Sequence, residues 1–171
     1  NSATLGVIGQ LGGIGARPER LGFVSDGDGA LAAVAVAAKL AKMQKNGDML
    51  AGDVIVTTHI CPTAPTRPHK PVAFMDSPVE MTTNVSHTVD VAMDAVLSID
   101  TTKGNHVINH KGFAISPTVK EGYILPVSPD LINIMELSTG QPAVTFPLST
   151  QDITPYKNKL YHLNSILQPA T

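Results

Sequence analysis

The sequence predicts an α/β protein: a three-layer sandwich with a mostly parallel or mixed sheet, helices on its faces and an antiparallel hairpin. Three observations predict it. Short apolar runs of strand length recur between turn residues, two segments carry helix start and stop signals, and the two kinds of segment alternate. At 171 residues the chain fits one domain, 1–171. Hydrophobic residues at 43% and charged residues at 15% supply a core and exclude disorder over most of the length.

Taken in order, residues 4–9 (TLGVIG) form a buried strand bounded by glycine. The following GQLGGIG, from Gly9 to Gly15, is a glycine-rich loop. Its spacing does not match the dinucleotide fingerprint, and no GKS or GKT phosphate loop occurs, so a nucleotide site is set aside. Residues 21–25 (LGFVS) are a short strand running into Asp26-Gly27-Asp28-Gly29. A helix follows over residues 30–46 and stops at Gly47. Its first half is Ala, Val and Leu on every side, and Lys39, Lys42 and Lys45 follow. It is expected to start deeply buried and finish wet, its lysines complementing the macrodipole.

Residues 53–60 (DVIVTTHI) read as a central strand. Pro62, Pro65, Pro68 and Pro71 then exclude helix and sheet, and the irregular stretch is expected to reach Ser86. Loops of that length often carry function. Residues 93–99 are the next strand. Residues 105–110 and 113–119 suggest a hairpin turning at Lys111-Gly112, extended by residues 123–127. Ser128 as N-cap and Pro129 at N1 start a helix that Gly140 ends. A strand at 142–148, a polar loop and an apolar segment at 160–167 complete the chain.

Composition removes several function classes. Acidic residues outnumber basic ones 14 to 12 and no Lys/Arg block occurs, which argues against a nucleic-acid groove or a polybasic membrane surface. Aromatic content of 4% without Trp argues against base or sugar stacking. The longest nearly uncharged apolar run, residues 30–38, is about half a membrane span. Cys61 alone gives neither an intrachain disulfide nor a cysteine zinc site, and a reducing, cytoplasmic compartment is expected. No signal peptide is seen, and the chain begins and ends close to apolar runs, so it is expected to be the central part of a longer protein.

Successive strands each end on a group able to ligate or catalyse. LGFVS runs into Asp26 and Asp28, DVIVTT into His59, DAVLSI into Asp100, and AVTFPLSTQ into Asp152. In open α/β sheets, sites form outside the carboxyl ends of the strands. Parallel neighbours would bring these carboxylates and the imidazole to one crevice. There the carboxylates would repel and raise each other's pKa unless a cation compensated. The sequence offers little nearby for that purpose: Lys103, with Arg17 or Arg67. A divalent metal resolves the conflict, and Asp with His suits zinc, manganese or cobalt.

Each residue also has a plain structural reading. Asp26 or Asp28 can cap the helix, His59 can be a hydrogen-bonded core histidine, and Asp100 and Asp152 can serve turns. Their common position after strands is what favours a site. The candidate metal ligands are Asp26, Asp28, His59 and Asp100, with His59 also the candidate base. Arg67 and His69 line the pocket, Arg67 as a bidentate clamp on a substrate carboxylate. These groups are expected within roughly 8 Å of a common point. Should His59 and Asp100 leave the sheet at opposite ends, no crevice exists. His106 and His110 share a strand face but suit a solvated hairpin better than a metal. Cys61 beside His59 is a minor nucleophile candidate, set against a small buried hydrophobe. No HExxH, GxSxG or SxxK occurs.

The runs GVIGQLGGIGARPER, SDGDGALAA, GDVIVTTHICPTAPTRPHKPV, LSIDTTKGN, ISPTVKEGYIL and TQDITPY resemble a prokaryotic family known as domain of unknown function 1177. The resemblance covers the whole chain. It implies no activity, and its members' greater length agrees with the abrupt ends. A more distant likeness lies in the order strand, Asp-Gly turn, Ala-rich helix, strand, Ile-Asp-Thr-Thr. That order is similar to the core of co-catalytic zinc aminopeptidases. It implies a zinc-aminopeptidase-like core in which Asp26 or Asp28 bridges two metals and Asp100 is a later ligand.

The departures from that pattern matter. Thr57-Thr58-His59 stands where those enzymes carry a Glu pair, and Gln10 where they carry a His; their final His has no counterpart. Losing the Glu base removes a term of about two to four orders of magnitude. Two readings result. The first is a metal-dependent hydrolase of an amide or peptide bond in a small substrate. The second is a non-catalytic binding or assembly protein on a degenerate scaffold. In either case a homo-oligomer is expected, with the apolar half of the helix buried between subunits.

Overall fold

The protein is described by a computed structural model at residues 2–11, 27–62, 64–68, 74–100, 112–120, 123–145 and 161–163. Its elements in chain order are β1 (Thr4–Gly9), α1 (Asp28–Lys45), β2 (Asp53–Thr58), β3 (Thr66–Arg67), β4 (Phe74–Met75), α2 (Met81–Thr88), β5 (Ala95–Ile99), β6 (Thr118–Lys120), β7 (Tyr123–Leu125), α3 (Pro129–Thr139) and β8 (Tyr161–Leu163). Among the described residues a six-stranded sheet runs β2-β1-β5-β8-β6-β7. Strands β2, β1, β5 and β8 are parallel, while β6 pairs antiparallel with both β8 and β7. The α/β class with a mixed sheet is therefore observed.

Period-two alternation explains how β1 can be apolar throughout, since both faces are covered. On one face Ile8 packs with Val89, Met93 and Val96, and with partly buried Ile55 and Val85. Gly6 shares that face: an added Cβ would lie 2.3 Å from the Met93 sulfur. The other face receives α1. There an added Cβ on Gly9 would lie 2.2 Å from the Gly29 carbonyl oxygen and 2.7 Å from the Ala33 Cβ. Conversely, a Cβ on Gly29 would meet the Ile99 carbonyl oxygen at 2.3 Å and the Gln10 oxygen at 2.4 Å. Strand and helix touch backbone to backbone, which only these small residues permit.

The inward line of α1 is Gly29, Ala33, Val36, Leu40 and Met43, at helical spacing, with Gly29 and Ala33 fully buried. The expectation of a deeply buried first half is corrected here. Leu31 and Val34 are 69% and 59% exposed, because the helix packs along one stripe only. Its end matches the lysine-rich reading, with Lys42 and Lys45 in the last turn and Gly47 just beyond at φ +89°.

Other expectations are also revised. β2 is terminal in the sheet order among the described strands and half-buried along most of its length, not central. The proline-rich segment does form a ladder: β3 pairs antiparallel with β4. The irregular stretch ends before Ser86, because α2 begins at Met81. β6 forms an antiparallel pair with β7, while the expected turn at Lys111 lies outside the described residues. Ile115 instead bridges to Thr145 in parallel, within the buried run Ala114, Ile115 and Ser116. α3 begins and ends as expected, with Ser128 at its N-cap, Pro129 in its first turn and Gly140 left-handed at φ +68°. Ser128 makes no side-chain capping bond. The proposed strand at residues 21–25 and the strand at 105–110 lie outside the described residues.

Gly29→Ala should lower stability by about 1–3 kcal/mol, since backbone rather than a flexible side chain blocks the new methyl. Gly47→Ala meets open space and carries only the left-handed backbone penalty, about 1 kcal/mol. Urea denaturation midpoints at unchanged m-value check the order of the two variants. Equal midpoints would show that α1 is not seated as described.

Candidate functional site

The parallel register decides what the strands bring together. Gly9 pairs with Thr58 of β2 on one side and with Ile99 of β5 on the other. The next residues, Gln10, His59 and Asp100, therefore leave the sheet at the same carboxyl edge. Neighbouring strands are about 4.8 Å apart, so the ends of β2 and β5 stand roughly 10 Å apart across β1. The start of α1 reaches this edge too. The Gln10 N–H donates to the Ile99 carbonyl at 2.9 Å, and the Gln10 carbonyl accepts from the Ala30 N–H at 3.1 Å. Asp28, the first residue of α1, is exposed in the turn where the macrodipole favours a carboxylate. It is not the N-cap; Gly27 is, with no side-chain capping bond. Asp26 lies outside the described residues.

Threonine hydroxyls hold the end of β2. Thr58 Oγ1 donates to the Gly9 carbonyl and Thr57 Oγ1 to the Thr88 carbonyl, each at 2.8 Å. His59 follows, partly buried, with Nε2 2.9 Å from the Leu11 carbonyl oxygen. A carbonyl only accepts, so Nε2 is the donor of this bond. Nδ1 is buried and has no hydrogen-bond partner among the described residues. Sequence reasoning missed Leu11, because the group that matters is a backbone carbonyl, which no residue type announces.

The remaining candidates are placed as follows. His69, His106, His110 and Asp152 lie outside the described residues. Cys61 is a free thiol of intermediate exposure. The Arg67 guanidinium, expected as a substrate clamp, is engaged by Asp76: Nε to Oδ2 and Nη2 to Oδ1, each at 2.7 Å. This fork-to-fork pair closes the β3–β4 ladder, along with a 2.8 Å bond from the Asp76 N–H to the Pro65 carbonyl. Hydrogen bonding to Asp76, followed by its charge, holds Arg67 above its ordinary pKa. The Arg67 hydrogen bond is the main cause of a lowered Asp76 pKa, opposed by desolvation and aided by the Ser77 N–H.

An imidazole and a carboxylate residue, His59 and Asp100, leave the sheet at the same edge, and both are side-chain types that ligate divalent cations. Among the described residues, however, no group of three or more His, Cys, Asp or Glu side chains is gathered closely enough to hold a metal ion. Among those residues, too, no helix is long and apolar enough to cross a membrane.

Fold and edge define an α/β protein whose parallel strands deliver polar groups to one end of the sheet. The chain belongs to the family described as protein of unknown function (DUF1177), whose model matches residues 1–171. No curated protein and no solved structure matches it.

The Arg67–Asp76 pair makes a pH prediction. Asp76 has a depressed folded-state pKa, so its contribution is present above the unfolded carboxylate value and is lost as pH falls through the folded one. Arg67 is 70% exposed, so screening keeps the effect local. Exchange of the Asp76 amide should accelerate on acidification below the ordinary carboxylate range, and Asp76→Asn should show fast exchange at every pH. A pH-independent exchange rate, once corrected for intrinsic chemistry, would remove the pair's role.

Proposed function

We propose that the protein is a metal-dependent hydrolase of an amide or peptide bond in a small substrate, working at the carboxyl edge of β2, β1 and β5. The observation that carries this reading is the shared register, which puts His59, Asp100 and the start of α1 at one end of the sheet. The finer fold reading goes with it. α1 on one face of β1, and Val85, Val89 and Met93 on the other, support a three-layer sandwich, while its zinc-aminopeptidase-like plan rests on the order of sequence motifs alone.

Asp26, Asp28, His59 and Asp100 would hold the ion, with zinc the best match and manganese or cobalt acceptable. A metal held there would supply polarisation of the scissile carbonyl and activation of water. His59 would stand in for the missing Glu base, as ligand or base. Arg67 reaches a substrate carboxylate only by exchanging Asp76 for it; His69 would line the same loop. The protein would act in the reducing cytoplasm. Metal analysis after purification without chelator, followed by zinc reconstitution, should find one to two equivalents. Asp100→Ala should lower amide hydrolysis at least about tenfold to a hundredfold. Retention of less than about a tenth of an equivalent would overturn the reading.

A second reading is favoured by a different observation, the exposure of Leu31 and Val34 on α1. It makes the chain a non-catalytic binding or assembly protein in which this face is buried between copies. Light scattering should then report a stable homo-oligomer that Leu31→Glu with Val34→Glu dissociates, while Asp100→Ala leaves its size unchanged. A monomer at all concentrations would remove this reading.

A further inference from the structure

We infer that copies of this chain join helix to helix, α3 of one copy lying antiparallel along the outer face of α1 of the next. The inference rests on the reading that this face of α1 is buried between copies, and it holds whether or not the assembly is catalytic. It goes further by naming the surface that covers the face. α1 shows solvent a stripe at helical spacing, Leu31, Val34, Ala35 and Ala38, which continues into Lys42 and Lys45. α3 shows a second stripe. None of its residues is buried; Leu131, Ile132 and Met135 are half-buried, while Ile134 is 61% and Leu137 87% exposed. Those two lie in line with Asp130, four and seven residues on from it.

The two faces are complementary in charge and in shape. After Asp28 the charged residues of α1 are all basic, Lys39, Lys42 and Lys45, whereas those of α3 are both acidic, Asp130 and Glu136. Ile134 and Leu137 are large, and Ala35 and Ala38 leave the shallow ground beside Val34 on which such side chains seat. Charge then fixes the direction. With Leu137 set against Leu31 and Ile134 against Val34, antiparallel helices advance in opposite senses at about 1.5 Å per residue. Asp130 comes to stand opposite Ala38, within a turn of Lys39 and Lys42. The parallel alternative, Ile134 against Leu31 and Leu137 against Val34, puts Asp130 opposite Gly27 and beside Asp28, where like charges repel. Glu136 does not disturb the antiparallel pairing. Its Oε1 accepts the Ala143 N–H at 3.1 Å, which turns it toward its own loop. A second α1 on the same stripe would leave Ile134 and Leu137 in water, whereas α3 covers both faces at once. Each copy carries one face of each kind, so two copies can make the contact twice, or several can pass it around a closed ring.

The test is sedimentation velocity on the full chain and on two variants, each spoiling one face. Val34→Glu spoils α1 and keeps α3; Leu137→Glu spoils α3 and keeps α1. Each alone should associate at least about tenfold more weakly than the parent. Mixed in equal amounts, the two should recover a one-to-one pair, because the intact α3 of the first meets the intact α1 of the second. Asp130→Lys should weaken association about two- to fivefold, and Lys42→Glu in the same chain should restore it. The apolar substitutions fall on exposed positions, and Leu31→Glu and Ile134→Glu replace them should either variant not fold. A parent that stays monomeric would leave both faces to other proteins, overturning the inference together with the assembly reading. An oligomer that Val34→Glu dissociates and Leu137→Glu leaves intact would overturn the inference alone, since α1 then meets another surface. Variants that each dissociate yet recover no pair on mixing would also overturn it.

Discussion

The structure depends on a contact made without side chains. Gly9 near the end of β1 and Gly29 in the first turn of α1 lie so close that a methyl group on either would collide with backbone of the other segment or of β5. Because the helix sits this low, the Ala30 N–H reaches the Gln10 carbonyl, while the Gln10 N–H bonds to Ile99. An otherwise orphaned donor of the helix start is thus satisfied by the sheet. The same contact holds the first turn of α1, with Asp28, at the carboxyl edge and not further along the strands. Larger residues would lift the helix away, and the polar groups of the edge would no longer share a boundary.

Parallel register does the rest of the placement. Strands paired residue for residue from Thr4 with Asp53 to Gly9 with Thr58, and from Leu5 with Ala95 to Gly9 with Ile99, must end together. This is why strand-end residues were readable from sequence. An apolar run followed by a polar group has a fixed meaning once neighbouring runs are parallel. Helix ends were readable for a related reason. Pro129 in the first turn and Gly140 just past the last act through their own backbone geometry, independent of distant packing. Burial was less readable, since Ala, Val and Leu have the same local preference on an inward and an outward stripe. Leu31 and Val34 show that only the packing partner distinguishes the two.

The proline-rich segment was misread for an instructive reason. Proline removes a donor but keeps its carbonyl, and the β3–β4 ladder uses that carbonyl: Pro65 accepts from Asp76. Thr66 and Arg67, between Pro65 and Pro68, pair with Met75 and Phe74. Arg67 thereby finds its carboxylate nine residues away in sequence and diagonally across a ladder that its neighbours had seemed to forbid. An exposed arginine with an unidentified partner reads as a binding group. The same arginine with Asp76 in its fork reads as a clasp on the loop that follows His59.

The chemistry of the edge turns on what was invisible in the residues, the orientation of one ring. His59 is bonded to the Leu11 carbonyl just beyond β1, and its other ring nitrogen is buried with no hydrogen-bond partner among the described residues. A core histidine kept only for packing would be expected to satisfy both nitrogens, because an unmet polar atom in a protein interior is destabilising and easily lost by substitution. Here the unmet atom lies at the end of a parallel strand, on the same edge as Asp100 and the start of α1, where open α/β sheets place their ligands. The local cost and the global position point to the same spot. Their coincidence, more than any single residue, is what the proposed reading of the carboxyl edge rests on.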